Sequence, residues 1–475
     1  MKTLLIQSGT VYDVALGCEG RIQDIVVRGE TILSPNEVSQ VDEIVDASGF
    51  VVTAAAVDCA AHVTFPGVWH LRAAGLFPDA ETIALRYAQR GFGHVHESWT
   101  TLEHAGLVHQ AWNRVTSLQA SIGLCLSLYE LIPWIETQDV ETAGKVLEHL
   151  CRVLGLYGFY LSEPRLRFRN EVYKHREKSA EDLLPFLCEA CAHLPGPLMV
   201  PATGFSDEDM QALPSGMHLQ RITELLEPRE NDASLNASQI LYSSLSADLG
   251  LTWPEESIQL TWVPPSSATE GYVWDVGPYR LLKAEPLPKH DFRNQNETLE
   301  LMAHAAEKGW AFSCRHANLA LVKDWQALVH AVLNVWNLRE WLLATRLHAA
   351  KALGLSNKGH LCPGAQADVA LYREPSKDSP VGWAQTFSRC ERLYVKGRLV
   401  YDASRGDRLL RSKPESRRPL VRPDVDKALL GPLFEGLSLR PQTLSRLAPY
   451  LGSRILCKTN AETRKEDSAH EATNS

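Results

Sequence analysis

Short runs of alternating apolar and polar residues open the chain and return near its end. Leu4-Leu5-Ile6, Asp24-Ile25-Val26-Val27 and Glu43-Ile44-Val45-Asp46 are separated by turns containing Gly and Pro, the pattern of short strands. A second strand block is predicted at Ala367–Tyr372 and Arg392–Val400, with Lys396-Gly397 marking a hairpin. Between the blocks the period changes. Helical runs such as Ala80–Arg90 and Val140–Leu156 are followed by strand-like Gly93-His94-Val95-His96 and Gly158–Leu161. This alternation predicts an α/β barrel with functional residues at strand C-termini. The two flanking blocks predict one small β domain built from both chain ends. No internal repeat is visible.

The chain has 475 residues, 45% hydrophobic and 22% charged, enough for one large domain and a smaller one. Its formal net charge of −9 argues against a general nucleic-acid binder. No apolar run reaches transmembrane length, and the opening Met-Lys-Thr-Leu-Leu-Ile turns polar too soon for a signal peptide. Ten scattered cysteines without a framework spacing fit a reducing cytoplasm. Cys188 and Cys191 form a Cys-x-x-Cys inside the apolar run Leu183–Leu194, where two core thiols are the expectation and redox or metal chemistry the alternative. Residues 403–425 are rich in Arg, Lys and Pro and read as a solvated extension, 426–452 as two short helices, and the tail from about 458 as polar and disordered.

Residues 50–62 read Phe-Val-Val-Thr-Ala-Ala-Ala-Val-Asp-Cys-Ala-Ala-His. This resembles the amidohydrolase frame Val-Asp-x-His-x-His, with Asp58 and His62 in place and Ala60 where the first histidine belongs. The run Arg346–Leu355, then Lys358-Gly-His-Leu-Cys-Pro-Gly-Ala-Gln-Ala-Asp368, resembles the closing signature of the same superfamily. More narrowly, Ser8–Asp13, Leu85-Arg-Tyr-Ala-Gln-Arg-Gly-Phe92, Trp336–Glu340 and Lys358–Asp368 resemble the amidohydrolase-type subunit of formylmethanofuran dehydrogenase and of the bacterial formyltransferase/hydrolase complex. The resemblance spans roughly residues 3–402 and implies an amidohydrolase-like (β/α)8 barrel over 54–365. A composite β-sandwich from 1–53 and 366–402, a C-terminal extension over 403–457 and a tail over 458–475 complete the division.

Members of that family bind two zinc ions and cleave a formamide with a bridging hydroxide. Carried over position by position, the ligand set is depleted. Strand 1 keeps only His62. Gly158–Pro164 has no lysine and Leu198–Thr203 no histidine. Met217-His-Leu-Gln-Arg221 puts Arg221 in a ligand's place, and Ser313-Cys-Arg-His-Ala-Asn318 puts Arg315 in place of the aspartate, beside His316 and Asn318. A guanidinium about 4 Å from a divalent cation costs roughly 8 kcal/mol at an effective dielectric near 20. The resemblance therefore implies a degenerate, metal-free homologue with a structural or regulatory role in tetrahydromethanopterin-linked one-carbon metabolism. Its implied partners are protein subunits of such a complex, with neither nucleic acid nor membrane.

Two alternatives stay open. An active amidohydrolase could release formate from an N-formyl compound through a rebuilt one-zinc site of His62, His94, His96 and His316, because His94 and His96 share a strand face. Arg221 and Arg315 could instead bind an anion, or be neutralised by Asp58 or Glu163. His104 and His109 read as surface or interface residues, and Trp69 and Trp99 as core anchors or stacking platforms near the mouth.

Overall fold

The computed structural model describes residues 2–64, 79–100, 105–115, 117–127, 131–162, 180–201 and 325–410. It also describes the short segments 222–226, 238–242, 262–263, 273–276, 279–282, 303 and 309–313. The C-terminal extension beyond 410 and the tail lie outside the described residues.

Both chain ends pair in one eight-stranded mixed sheet. Its strands are β1 (Thr3–Asp13), β2 (Cys18–Arg28), β3 (Thr31–Leu33), β4 (Glu43–Asp46), β5 (Phe50–Ala54), β17 (Val369–Arg373), β18 (Cys390–Val395) and β19 (Arg398–Asp402), in the order β19-β18-β17-β5-β1-β2-β3 with β4 on β1. The join between the ends is direct, since β17 runs antiparallel to β5 with Leu371 opposite Val52. The alternating strands bury Ile6, Val11, Val27, Val52, Val369 and Leu371 in a shared core. The hairpin between β18 and β19 turns at Lys396 (φ 52°) and Gly397 (φ 68°), the positive pair a two-residue turn needs.

A second sheet holds eight parallel strands in chain order: β6 (Ala56–Ala61), β7 (Phe92–Thr100), β8 (Gln119–Ser127), β9 (Gly158–Ser162), β10 (Leu198–Pro201), β11 (Ile222–Leu226), β12 (Ser238–Tyr242) and β16 (Ala311–Ser313). Between β12 and β16 lies a small antiparallel sheet of β13 (Trp262–Val263), β14 (Val273–Val276) and β15 (Tyr279–Leu282). The parallel sheet is curled. Ala60 on the first strand, Tyr160 on the fourth, Met199 on the fifth and Ala311 on the last share one apolar cluster. Val95, Ile122, Leu124 and Leu126 instead pack toward the helices.

The helices begin and end where local chemistry dictates. The helix Val140–Leu154 starts at Asp139, whose carboxylate accepts from the Thr142 amide at 3.0 Å, and stops at Gly155 with φ 62°. His109, expected at a surface or an interface, is buried in the helix Ala105–Arg114, with Nε2 2.6 Å from the Leu154 carbonyl. It satisfies an acceptor at a neighbouring helix end, a long-range role that its spacing from His104 does not reveal. His104 lies outside the described residues. Among the described residues, no helix is long and apolar enough to cross a membrane.

Candidate functional site

β6 ends at Ala61, so His62 follows at the C-terminal rim of the parallel sheet, the end where barrel enzymes place their chemistry. Asp58, Ala60 and His62 are all buried. Ala60 presents only a methyl group, packed in the cluster that holds Tyr160, Met199 and Ala311. The Asp58 carboxylate is engaged on both oxygens. Oδ2 accepts from the Tyr87 hydroxyl at 2.6 Å, and Oδ1 accepts from the Ser313 hydroxyl at 2.5 Å and the Ala60 amide at 3.3 Å. Beside β6, Glu97 is fully buried and accepts from the Thr64 amide at 2.8 Å, opposite Ala61 in the register.

His94 and His96 stand lower. Strand β7 runs from Phe92 to Thr100, so His94 is its third residue and His96 its middle one, and neither is at its end. His94 pairs with Val57, and Ala61 with Glu97. Continuing that register, His62 lies about two residues beyond His96 and four beyond His94, roughly 7 and 13 Å along the strand. Both rings instead meet Ser121 on β8, His94 through Nε2 at 2.9 Å and His96 through Nδ1 at 2.8 Å. One hydroxyl proton serves one ring only, so Ser121 donates to one imidazole and accepts from the other. The face is shared as the spacing of two predicts; the height is not where the sequence placed it.

Burial pushes the His96 ring down to about 3. The folded protein therefore keeps His96 neutral while the unfolded chain takes a proton near pH 6.5. The unfolded state binds more protons between those values, so stability falls as pH drops through that window, by roughly 1.4 kcal/mol per pH unit. A His96→Gln variant is expected to lose this slope. Urea midpoints at about pH 7.5 and about pH 5 check it; an acid loss as steep as in the parent sinks the assignment.

Arg221, Arg315, His316 and Asn318 lie outside the described residues, as do Glu163 and Trp69. Trp99 is half-buried against the cluster that contains Cys59 and Tyr160. Cys188 and Cys191 are buried, and desolvation pushes the Cys188 thiol up to about 12. At that value it is a core thiol rather than a nucleophile.

Zinc is the cofactor that the sequence resemblance raises, and the described part of the site can be set against it. A methyl stands at Ala60, Asp58 is taken by two hydroxyls, and His94 and His96 are turned to Ser121. Among the described residues, no three His, Cys, Asp or Glu side chains converge on one point. Tyr87, Glu97, Ser121 and Ser313 contribute to this arrangement; Tyr87 and Ser313 lie in stretches that carry the resemblance, but nothing in the sequence gives any of the four a role here.

No family model matches the chain. Imidazolonepropionase from Rhizobium meliloti (strain 1021) is 27% identical over 388 residues, 75% of this chain and 87% of that protein. Among solved structures, the formyltransferase/hydrolase complex from Methylorubrum extorquens in complex with methylofuran is similar with a TM-score of 0.62 at 16% identity. The match covers 86% of this chain and 89% of that one. Atrazine chlorohydrolase from Arthrobacter aurescens TC1 complexed with zinc gives a TM-score of 0.52 at 13% identity, over 94% of this chain and 100% of that one. These neighbours are amidohydrolase-superfamily proteins, so the chain has an amidohydrolase-like mixed α/β fold.

Proposed function

We propose that this chain is a degenerate, metal-free homologue of the amidohydrolase-type subunit of the formyltransferase/hydrolase complex. It has a structural or regulatory role in tetrahydromethanopterin-linked one-carbon metabolism, in the cytoplasm. In this reading the eight parallel strands close into a (β/α)8 barrel over residues 54–365. The chain-end sheet is the composite β-sandwich of 1–53 and 366–402, and protein subunits of the complex are the partners. Likeness over 86% of the chain to a structure of that complex supports the assignment.

The observation that carries the loss of metal is Ala60. A two-histidine grip needs two imidazoles on one strand face, and one position holds a methyl among apolar neighbours. Elemental analysis of the purified full-length protein tests this. Zinc is expected far below one ion per chain, with no formate released from a formamide after zinc supplementation. Near-stoichiometric zinc that is lost in His62→Ala overturns the reading.

A second reading keeps hydrolase activity with a rebuilt one-metal site. That site is His62, His94, His96 and His316, and the burial of His62 just past the end of β6, where barrel chemistry occurs, favours it. It expects formate release that stops with a chelator. A metal-loaded protein inert toward a broad amide panel removes it.

A further inference from the structure

Eight strands run in sequence order from β6 to β16, and each hands its backbone hydrogen bonds to the next. Among the described residues, no backbone ladder joins β16 back to β6. Side chains cross that seam instead. Asp58, on the first strand, accepts from Ser313 on the last, 255 positions away, at 2.5 Å. Its other oxygen accepts from Tyr87 at 2.6 Å, on the helix Ala80–Gln89 that follows the first strand. The carboxylate is fully buried. Hydrogen bonds to a charged acceptor are worth more than neutral ones, and more again where water is excluded.

We propose that Asp58 is the latch of the curled sheet, one carboxylate holding the first strand, its helix and the last strand together. The role does not depend on catalysis, and it stands whichever reading of function holds. Tyr87 is fixed for the task. Its ring is fully buried and meets Phe92 edge-on at 5.2 Å, which aims the hydroxyl into the seam. Ser313 ends β16 beside Phe312, whose ring packs on Trp325, Trp336 and Trp341. Each donor thus comes from a rigid support, while the acceptor is the one group common to both. The latch makes a specific demand. Removing the Tyr87 hydroxyl must loosen β16 through Asp58.

Hydrogen–deuterium exchange of the full chain, read strand by strand, tests this. In Tyr87→Phe, exchange at Ala56–Ala61 and Ala311–Ser313 is expected to rise about tenfold, the factor for one lost hydrogen bond to a charged group. Protection at Gly158–Ser162 and Leu198–Pro201, across the sheet, stays as in the parent. Ser313→Ala is the second variant and is expected to loosen Ala56–Ala61 by a similar factor. Unchanged exchange at Ala311–Ser313 in Tyr87→Phe, or a rise spread evenly over all eight strands, overturns the proposal. If Tyr87→Phe does not fold, Ser313→Ala decides alone: unchanged or uniformly raised exchange there counts against the latch.

Discussion

Replacing Lys358 by methionine is expected to cost about 3–5 kcal/mol, because it strands a buried carboxylate. Lys358 Nζ lies 2.5 Å from Asp368 Oδ2, and the two side chains are only 5% and 6% exposed. Lys358 also donates to Gln366. Gln119, from β8 of the parallel sheet, donates to Gln366 at 3.0 Å and to both Asp368 oxygens at 3.2 Å. The Lys396 amide, in the β18–β19 hairpin, donates to Asp368 Oδ1 at 2.8 Å. These residues meet in one polar cluster around the Asp368 carboxylate, which joins the parallel sheet to the chain-end sheet. Methionine keeps the length of the side chain and removes the charge. The double variant Lys358→Met with Asp368→Leu is expected to recover part of the loss, since an apolar pair leaves no ion unpaired. Calorimetric Tm values check both. A single variant within about 1 kcal/mol of the parent would show that solvent reaches the pair.

The same cluster explains what could be read from the sequence. The strand blocks at both ends were legible because alternation and turn residues are local signals, and the Lys396-Gly397 turn declares itself by composition. Lys358 and Asp368 were legible only as members of a signature; that they form an ion pair depends on the fold. Around the candidate site the difference is sharper. Asp58, Ala60 and His62 stand out because residues 50–62 resemble the amidohydrolase frame, in which the two histidines two apart share a strand face. Tyr87 and Ser313 are legible only as members of quoted stretches; that each bonds Asp58, 29 or 255 positions away, depends on the fold. His94 and His96 had the right face and the wrong height. Strand boundaries carry weak sequence signals, and β7 continues to Thr100, four residues past His96. His109 shows the same limit, since its partner is the Leu154 carbonyl on another helix.

Gly91→Ala is the other substitution expected to be severe, and backbone and packing both oppose it. Gly91 has φ +79°, where an L side chain costs about 1–2 kcal/mol. A Cβ there would lie 1.8 Å from the Tyr372 hydroxyl, 2.7 Å from its Cζ and 3.3 Å from the Ala370 Cβ. Tyr372 has little room to retreat. Its hydroxyl donates to the Arg90 carbonyl at 3.0 Å and accepts from Arg346 Nη2 at 3.5 Å, and its ring meets Phe387 edge-on at 5.1 Å. Arg346 is itself buried, with Nε donating to the Ala54 carbonyl at 2.9 Å and Nη1 to Thr345 at 2.7 Å. Pushing Tyr372 aside therefore disturbs the contact between the helical turn Leu343–Leu347, which carries Arg346, and the chain-end sheet. Overpacking of this kind adds about 1–3 kcal/mol, so the total is expected at roughly 2–5 kcal/mol. The two causes separate in a Tyr372→Phe background, which removes the nearest atom. There, Gly91→Ala should cost less than it does in the parent, while the ring Cζ at 2.7 Å keeps part of the steric cost in place. Equal costs in the two backgrounds, measured by denaturant midpoints, would remove the Tyr372 hydroxyl as a reason that glycine stands at position 91.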